Sequence, residues 1–282
     1  MSDTPAARTE PRPAATVILA RAAAPPHGGL ELYMTRRSSR SAFAPDAYVF
    51  PGGVLDAAQD CTAAMHARTL GLDDDLVRAA FRRPSTPPEL PNDLPAPGTS
   101  TALGLYAAAL RELFEEAGIL IARTAAGIPV DAGEVFSREV QEERERIRAG
   151  RSTFADFLLR RDWLADAGGL TLFSHWITPA SEPRRYDTHF FFAVAPPDQA
   201  GRADAFETHD GLWIAPADAL ERFARGRFHL VYPTIKHLER LAPFASPAEA
   251  HAFAQSKPIL TILPWASEPG GFSMPPDLEH AW

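Results

Sequence analysis

The sequence ALRELFEEAG, residues 109–118, constrains the fold more than any other part of this chain. On a helix with about 3.6 residues per turn, its apolar side chains recur at i, i+3, i+4 and i+7, which is the spacing of a buried stripe. The stripe consists of Leu110, Leu113, Phe114 and Ala117. Glycine is the preferred residue just past a helix end because it accepts positive φ. The sequence therefore predicts a helix that packs on a core and ends at Gly118.

Three glutamates, Glu112, Glu115 and Glu116, share the opposite face of that helix in its last two turns. Like charges at these spacings repel each other by about 0.2–0.5 kcal/mol per pair. Carboxylates beside the negative end of a helix dipole cost about 0.3–1 kcal/mol each. Two local rules are broken together, which is typical of a functional site. The alternative is a solvated acidic face on an ordinary amphipathic helix.

Charge and cysteine content exclude several classes of protein. The chain has 282 residues, a formal net charge of −8 and no basic run, so we expect no nucleic acid as its main partner. Cys61 is the only cysteine, which excludes an internal disulfide and favours a reducing, cytoplasmic compartment. The sequence has neither a run of about 18 apolar residues nor a signal-peptide core, so we expect no membrane partner.

Strand and helix patterns interleave along the chain, which predicts an α/β or α+β protein. Residues 1–12 are expected to be disordered, 13–245 to form one domain, and 246–282 to be an extension packed on it. Two segments of that domain differ from the rest: 57–100 contains a helix and a proline-rich loop, and 133–169 contains two helices.

Two local predictions are specific enough to test. ILIA, residues 119–122, reads as a strand, and EVFSREVQEERERIRAG, residues 134–150, reads as one charged and solvated helix. The following FADFLLRRDWL, residues 154–164, reads as a second helix.

Residues 111–119 resemble the second half of the Nudix box, G-x5-E-x7-R-E-U-x-E-E-x-G-U, where U is a bulky aliphatic residue. FPGGVLD resembles the glycine-rich entry to the same box. Gly53 and Arg111 are 58 positions apart, which is 44 more than that pattern allows, and 44 is also the length of segment 57–100. A long insert at this place is found in the Nudix subgroup of the peroxisomal coenzyme A diphosphatase of mammals. RRSSRSAFAPDAYVFPGGVLDAA and PRRYDTHFFFA are also similar to that subgroup.

The resemblance implies a Nudix α/β/α sandwich, with a mixed central sheet between helices and with helical inserts. It also implies a hydrolase that uses Mg²⁺ or Mn²⁺ to cleave a diphosphate linked to a nucleoside and to another group. The metal ligands would be the Gly53 carbonyl with Glu112, Glu115 and Glu116, since Mg²⁺ prefers oxygen ligands. Arg111 would orient the glutamates by pairing with one of them.

The general base stays open between Glu115, Glu112 and Glu207. Glu207 precedes THDGLW, where many Nudix proteins carry another acidic ligand or base, and the alternative is a loop carboxylate that faces water.

The first glutamate of the box has no clear match. Counting forward from Gly53 places Gln59 at that position, and counting back from Arg111 places Leu103 there. Asp56 or Asp60 can substitute in part. The geometry of any second or third metal depends on which residue does so.

Four arginines are candidates for binding substrate phosphates, because a guanidinium matches phosphate with two parallel hydrogen bonds. They are Arg36, Arg37, Arg184 and Arg185. The alternative is that they are ordinary surface residues.

The histidines are not expected to take part in catalysis or in metal binding. His189 is interpreted as a packed strand residue, and His175, His209 and His229 show no metal-ligand spacing.

Coenzyme A or an acyl derivative is the expected substrate, on the subgroup resemblance alone. ADP-ribose, NADH and dinucleoside polyphosphates are alternatives, and a non-catalytic module that binds a nucleotide is another. The segment 57–100 is expected either to cap the cleft or to form a homodimer contact.

Overall fold

A computed structural model describes residues 9–24, 28–39, 44–81, 96–196, 199, 211–267, 271–279 and 281–282. In these ranges the strands are β1 Arg12–Ala22, β2 Leu30–Arg36, β3 Ala47–Val49, β4 Gly52–Val54, β5 Thr69–Leu70, β6 Ala122–Thr124, β7 Trp163–Asp166, β8 Thr171–Ile177, β9 Tyr186–Val194, β10 Gly211–Ile214, β11 His229–Leu230, β12 Thr261–Ile262, β13 Trp265–Ser267 and β14 Gly271–Ser273. The helices there are α1 Ala57–Asp60, α2 Ala63–His66, α3 Asp74–Ala80, α4 Thr99–Ala117, α5 Ala132–Val135, α6 Arg138–Arg148, α7 Phe154–Arg161, α8 Pro216–Ala224, α9 Tyr232–Leu241 and α10 Pro247–Ser256.

The central sheet is mixed, and β1 lies at its middle. The strand order is β11-β3-β2-β1-β9-β8-β12, with β4 also paired to β1 and β10 also paired to β2. β1 runs antiparallel to β2 and β4 and parallel to β9. Ala15 therefore lies opposite Gly53 on one side and opposite His189 on the other.

Alternating residues of β1 enter two different cores, as the period of two in a strand requires. Val17 and Leu19 pack with α4 and with the helices of the inserts. Ile18 and Ala20 pack on the other face with α9 and α10. Helices thus cover both faces of the sheet, and the predicted α/β/α sandwich is confirmed.

The two inserts are joined to each other by backbone pairing. β5 of the first insert runs parallel to β7 of the second, with Thr69 opposite Ala165. β6 pairs with the other edge of β7, so the three strands form a small separate sheet. The helices α1, α2 and α3 of the first insert pack on α4.

Several local predictions require correction. Residues 134–150 do not form one helix: α5 ends at Val135, and Ser137 caps a new helix, α6, through the Val140 amide at 3.4 Å. Residues 163–164 belong to β7, because Asp162 adopts a left-handed conformation that ends α7. Of ILIA only Ala122 is in a strand.

The described ends of the chain also differ from the prediction. Arg12 already begins β1 and its amide donates to Arg185 O at 3.0 Å, so the predicted disordered segment extends too far. In the C-terminal extension, α10 packs on the sheet, β12 adds a strand beside β8, and Trp282 is buried. No helix among the described residues is long and apolar enough to cross a membrane.

Candidate active site

The glycines of FPGG let β4 pass between β1 and α4. A Cβ at Gly52 would lie 2.5 Å from Ala15 O, and a Cβ at Gly53 would overlap the carboxylate of Glu112. Neither position has room for a side chain, so the close approach of the neighbouring atoms requires glycine at both. The glutamate face of α4 thus lies directly against the backbone of β4.

The glutamates of α4 are held in this narrow space. The Gly52 amide donates to Glu116 Oε2 at 3.0 Å. Burial and, after it, the charge of Glu112 raise the pKa of Glu116 to about 7. Burial also raises the pKa of Glu112 above its ordinary value. Both groups would therefore gain from a cation that stabilises their ionised forms.

Arg111 contacts more partners than the sequence predicts. Its Nη1 donates to Glu112 Oε1 at 2.7 Å and to Glu115 Oε1 at 3.0 Å. Its other nitrogens donate to both oxygens of Asp60, from Nε at 2.9 Å and from Nη2 at 3.0 Å. One buried guanidinium thus orients two glutamates and is itself fixed by a third carboxylate.

Asp60 is the residue of the first insert that contacts Arg111. Its side chain is fully buried and, besides Arg111, accepts from the Asp56 amide at 2.9 Å. Gln59, the residue found by counting, instead donates to Asp56 Oδ2 at 2.7 Å. Asp56 is exposed and caps α1 through the Ala58 amide. Of the two substitutes considered, Asp60 is therefore the one that binds Arg111.

The cluster carries excess negative charge and offers only oxygen ligands. Asp60 and the three glutamates supply four carboxylates, and Arg111 is the one cation that is hydrogen-bonded to them among the described contacts. Carboxylate oxygens are the ligands that hard divalent cations take. The residues present therefore fit a Mg²⁺ or Mn²⁺ ion.

Arg144 is a functional candidate that the sequence analysis missed. It lies on α6 in the second insert, and its buried guanidinium donates to the backbone oxygens of Glu115 and Glu116, each at 3.0 Å. These carbonyls end α4, so Arg144 supplies the positive charge that the helix dipole favours there. Gly118 permits the approach, since a Cβ would lie 3.1 Å from Arg144 Nη1. No sequence pattern relates these segments.

The four predicted phosphate-binding arginines are not gathered at one place. The charge of Arg37 lowers the pKa of Glu116, so this residue lies near the cluster. Arg36 is exposed and pairs with Asp46 at 2.7 Å. Arg185 donates to the backbone oxygens of Thr178 and Thr9, which is a structural role.

The remaining two predicted site residues are Arg184 and Glu207. Arg184 is exposed just before β9. Glu207 lies outside the described residues.

The histidine interpretation is half correct. His189 is buried in its strand as expected. The spacing of His175 in the sequence predicts no metal site, yet the structure brings this residue together with His189 and Asp187. The alternation along β9 places Asp187 and His189 on one face, but only the pairing of β8 with β9 adds His175.

Comparison with known proteins identifies the family. The model of the NUDT19 Nudix domain matches residues 11–241. The chain is 31% identical to acyl-coenzyme A diphosphatase NUDT19 of Gallus gallus over 90% of this chain and 74% of the relative. It is also 31% identical to the Homo sapiens protein of that name, over 86% of this chain and 68% of the relative.

A solved structure agrees with the observed architecture. The NUDIX hydrolase from Alicyclobacillus acidocaldarius superposes with a TM-score of 0.63 at 25% identity, covering 87% of this chain and 97% of that one. The resemblance found in the split box is confirmed by these matches. The chain therefore belongs to the NUDT19 Nudix family and is a Nudix-type pyrophosphohydrolase.

Proposed function

We propose that this protein hydrolyses the diphosphate bond of coenzyme A or of an acyl-coenzyme A, with Mg²⁺ or Mn²⁺. The observation that carries the proposal is the group of three carboxylates paired with Arg111, with Glu116 beside them on α4. The substrate is supported by the relatives, which are named acyl-coenzyme A diphosphatases and resemble most of the chain.

The metal would be held by Glu112, Glu115 and Glu116, with the backbone of Gly53 beside them. A bound divalent cation neutralises phosphoryl oxygens and lowers the pKa of a bound water. The protein supplies the geometry: Arg111 fixes two of the glutamates, and the Gly52 amide fixes Glu116. Preorganised groups of this kind stabilise the charge that develops in the transition state without reorganising.

The reaction adds water across one phosphoric anhydride. The water oxygen bonds to one phosphorus, the bridging P–O bond breaks, and the water proton passes to a general base. With coenzyme A the products are 3′,5′-ADP and 4′-phosphopantetheine. Glu112, Glu115 and Glu207 are the candidate bases, and a pH–rate profile of each Gln variant distinguishes them, since the base variant loses the acidic limb.

Arg37 is the best placed of the four arginines to meet the substrate. Its charge reaches Glu116 and its side chain is partly buried, whereas Arg36 is exposed beside Asp46. Arg148 on α6 is a further cation whose charge reaches Glu116. Two arginines near the carboxylates would bind the phosphates that the metal does not neutralise.

The test is hydrolysis of a panel of diphosphates in the presence of Mg²⁺ or Mn²⁺, with products identified by mass spectrometry. The panel contains coenzyme A, acetyl-coenzyme A, ADP-ribose, NADH and a dinucleoside polyphosphate. We expect 3′,5′-ADP from the coenzyme A compounds, with kcat reduced by at least about 100-fold in Glu116→Gln, which removes one metal ligand. Glu134→Gln, an exposed glutamate on α5, is the matched control and should retain wild-type turnover.

Other results of the panel and of binding measurements would lead to different conclusions. Preferred turnover of ADP-ribose, NADH or the polyphosphate would discard coenzyme A and keep the hydrolase. Binding of coenzyme A by calorimetry without any product would replace the enzyme with a nucleotide-binding module. Unchanged turnover in Glu116→Gln would reject the metal-site assignment.

Two further predictions accompany this function. The cytoplasmic location rests on the single cysteine, and imaging of a tagged chain tests it. A homodimer contact through residues 57–100 is tested by the sedimentation mass of the full chain.

A further inference from the structure

Three side chains with metal-binding atoms meet on the sheet, away from the glutamates. His175 lies on β8, and Asp187 and His189 lie on β9. One ligand atom from each lies within 4.8 Å of both others. Both imidazoles are buried and Asp187 is partly buried. The two imidazole rings stack, with centroids 4.2 Å apart and planes inclined by 17°.

The sheet register produces this cluster. His175 is the direct cross-strand partner of His189, and Asp187 lies two residues before His189 on the same face. A side-chain hydrogen bond joins His175 Nε2 to Asp187 Oδ1. His189 Nδ1 lies 3.8 Å from the same Asp187 oxygen. The three side chains therefore meet beside Asp187.

A residue of the C-terminal extension fixes the first imidazole. Thr261 on β12 is the neighbour of His175 in the sheet, and its hydroxyl lies 2.9 Å from His175 Nδ1. This contact leaves Nε2 directed at Asp187. Ligating histidines in proteins are usually held in this way through their second ring nitrogen.

A small cavity adjoins the cluster. It measures about 10 Å³ and is lined by His175, His189 and Thr261 together with Ala80, Phe81, Leu172 and Ile259. That volume holds about one water-sized particle. The space suits one water molecule beside the imidazoles, and it excludes an organic ligand.

We propose that His175, Asp187 and His189 bind one Zn²⁺ ion, with a water molecule as the fourth ligand. Two imidazoles and a carboxylate suit Zn²⁺ in tetrahedral geometry, whereas the all-carboxylate cluster on α4 suits a harder cation. Ligands at about 2.0–2.2 Å from a tetrahedral ion lie about 3.3 Å from one another. To reach these separations, the hydrogen bond between His175 and Asp187 would open and the stacked imidazole rings would turn until both ring planes meet at the ion.

The two sites are separate. Gly53, beside the glutamates, and His189 both lie opposite Ala15, on either side of β1. Neighbouring strands are about 4.8 Å apart, so these two backbones are about 10 Å apart. The Zn²⁺ site would tie β8 to β9 and, through Thr261, would secure the C-terminal extension.

The test titrates the chelator-treated full chain with Zn²⁺, and with Co²⁺ as a coloured substitute. We expect one Zn²⁺ per chain, a rise in Tm, and the intense visible bands of tetrahedral Co²⁺. Asp187→Asn and His189→Gln should weaken Zn²⁺ binding at least about tenfold, in the range seen when a metal site loses a supporting or ligating group. His229→Gln, at an exposed histidine, is the matched control and should bind like the wild type.

Glu116→Gln distinguishes this site from the glutamate cluster, and it should leave the Co²⁺ bands unchanged. Circular dichroism checks that each variant folds. Asp187→Asn keeps the size and shape of the side chain at a partly exposed position. This variant therefore still tests the proposal if His189→Gln does not fold. The proposal is overturned if wild-type protein binds no Zn²⁺, if both variants bind it as well as the control, or if the bands vanish in Glu116→Gln.

Discussion

Asp60 is the residue whose replacement tests the structure of the site most sharply. It has a matched control four residues away, because Asp56 lies at the other end of the same short helix and is exposed. Asp60→Asn and Asp56→Asn are the same chemical change. Only Asp60 contacts Arg111, so only its replacement should reach the glutamates.

The expected magnitude follows from the contacts. Asp60 accepts two hydrogen bonds from Arg111 and one from the Asp56 amide, all between 2.9 and 3.0 Å. Removing one partner of a buried ion pair costs about 3–5 kcal/mol. Asparagine retains one acceptor oxygen, and Arg111 retains two glutamates, so we expect the lower end, about 3 kcal/mol. At about 2–4 °C per kcal/mol this lowers Tm by about 6–12 °C.

Asp56→Asn should change the free energy of unfolding by less than about 0.5 kcal/mol, since asparagine is an equally good N-cap. Activity should separate the two variants as well. Without Asp60, Arg111 is free to pair more closely with Glu112 and Glu115, so kcat and the affinity for Mg²⁺ should fall at least about tenfold.

The assays are thermal unfolding, Mg²⁺ titration and steady-state hydrolysis of the substrate found in the panel. Equal stability and equal kcat in Asp60→Asn and Asp56→Asn would refute the assignment of Asp60 as the carboxylate that supports Arg111.

Two further predictions concern the charges around α4. Burial raises the pKa of Glu116 from 4.5 to about 7. Between pH 4.5 and about pH 7 the metal-free folded chain therefore binds one more proton than the unfolded chain. Its free energy of unfolding should fall by about 3 kcal/mol as the pH rises through that window. Urea unfolding at about pH 4.5 and pH 8 measures this decrease. Glu116→Gln should reduce it, because the proton taken up by Glu116 is lost while the contribution of Glu112 stays. Mg²⁺ affinity should rise across the same window because the ion needs the carboxylate. Arg144→Gln should lower kcat at least about tenfold with little change in KM, because it removes the cation from the carbonyl end of α4. Arg146→Gln, on the exposed side of α6, should match the wild type in steady-state kinetics, and an equal loss in both variants would contradict a positioning role for Arg144.

The sequence alone determined the local features of the fold. The apolar stripe of residues 110–117 specified α4 and its buried face, and Gly118 specified its end. The clustered glutamates and the two halves of the box specified the family. These features depend on residues within one or two turns of each other or on a short pattern, so period and composition are sufficient to read them.

Tertiary structure decided every contact between distant segments. Asp60 meets Arg111 across 51 positions, Arg144 meets Glu115 across 29, and His175 meets His189 only because β8 pairs with β9 in one register. The two inserts share a small sheet, and the sequence of neither insert predicts this pairing. The period of a helix or strand determines on which face of that element a residue lies. It does not determine which other element that face packs against. That choice depends on strand register and on the packing of whole elements, which no local pattern contains.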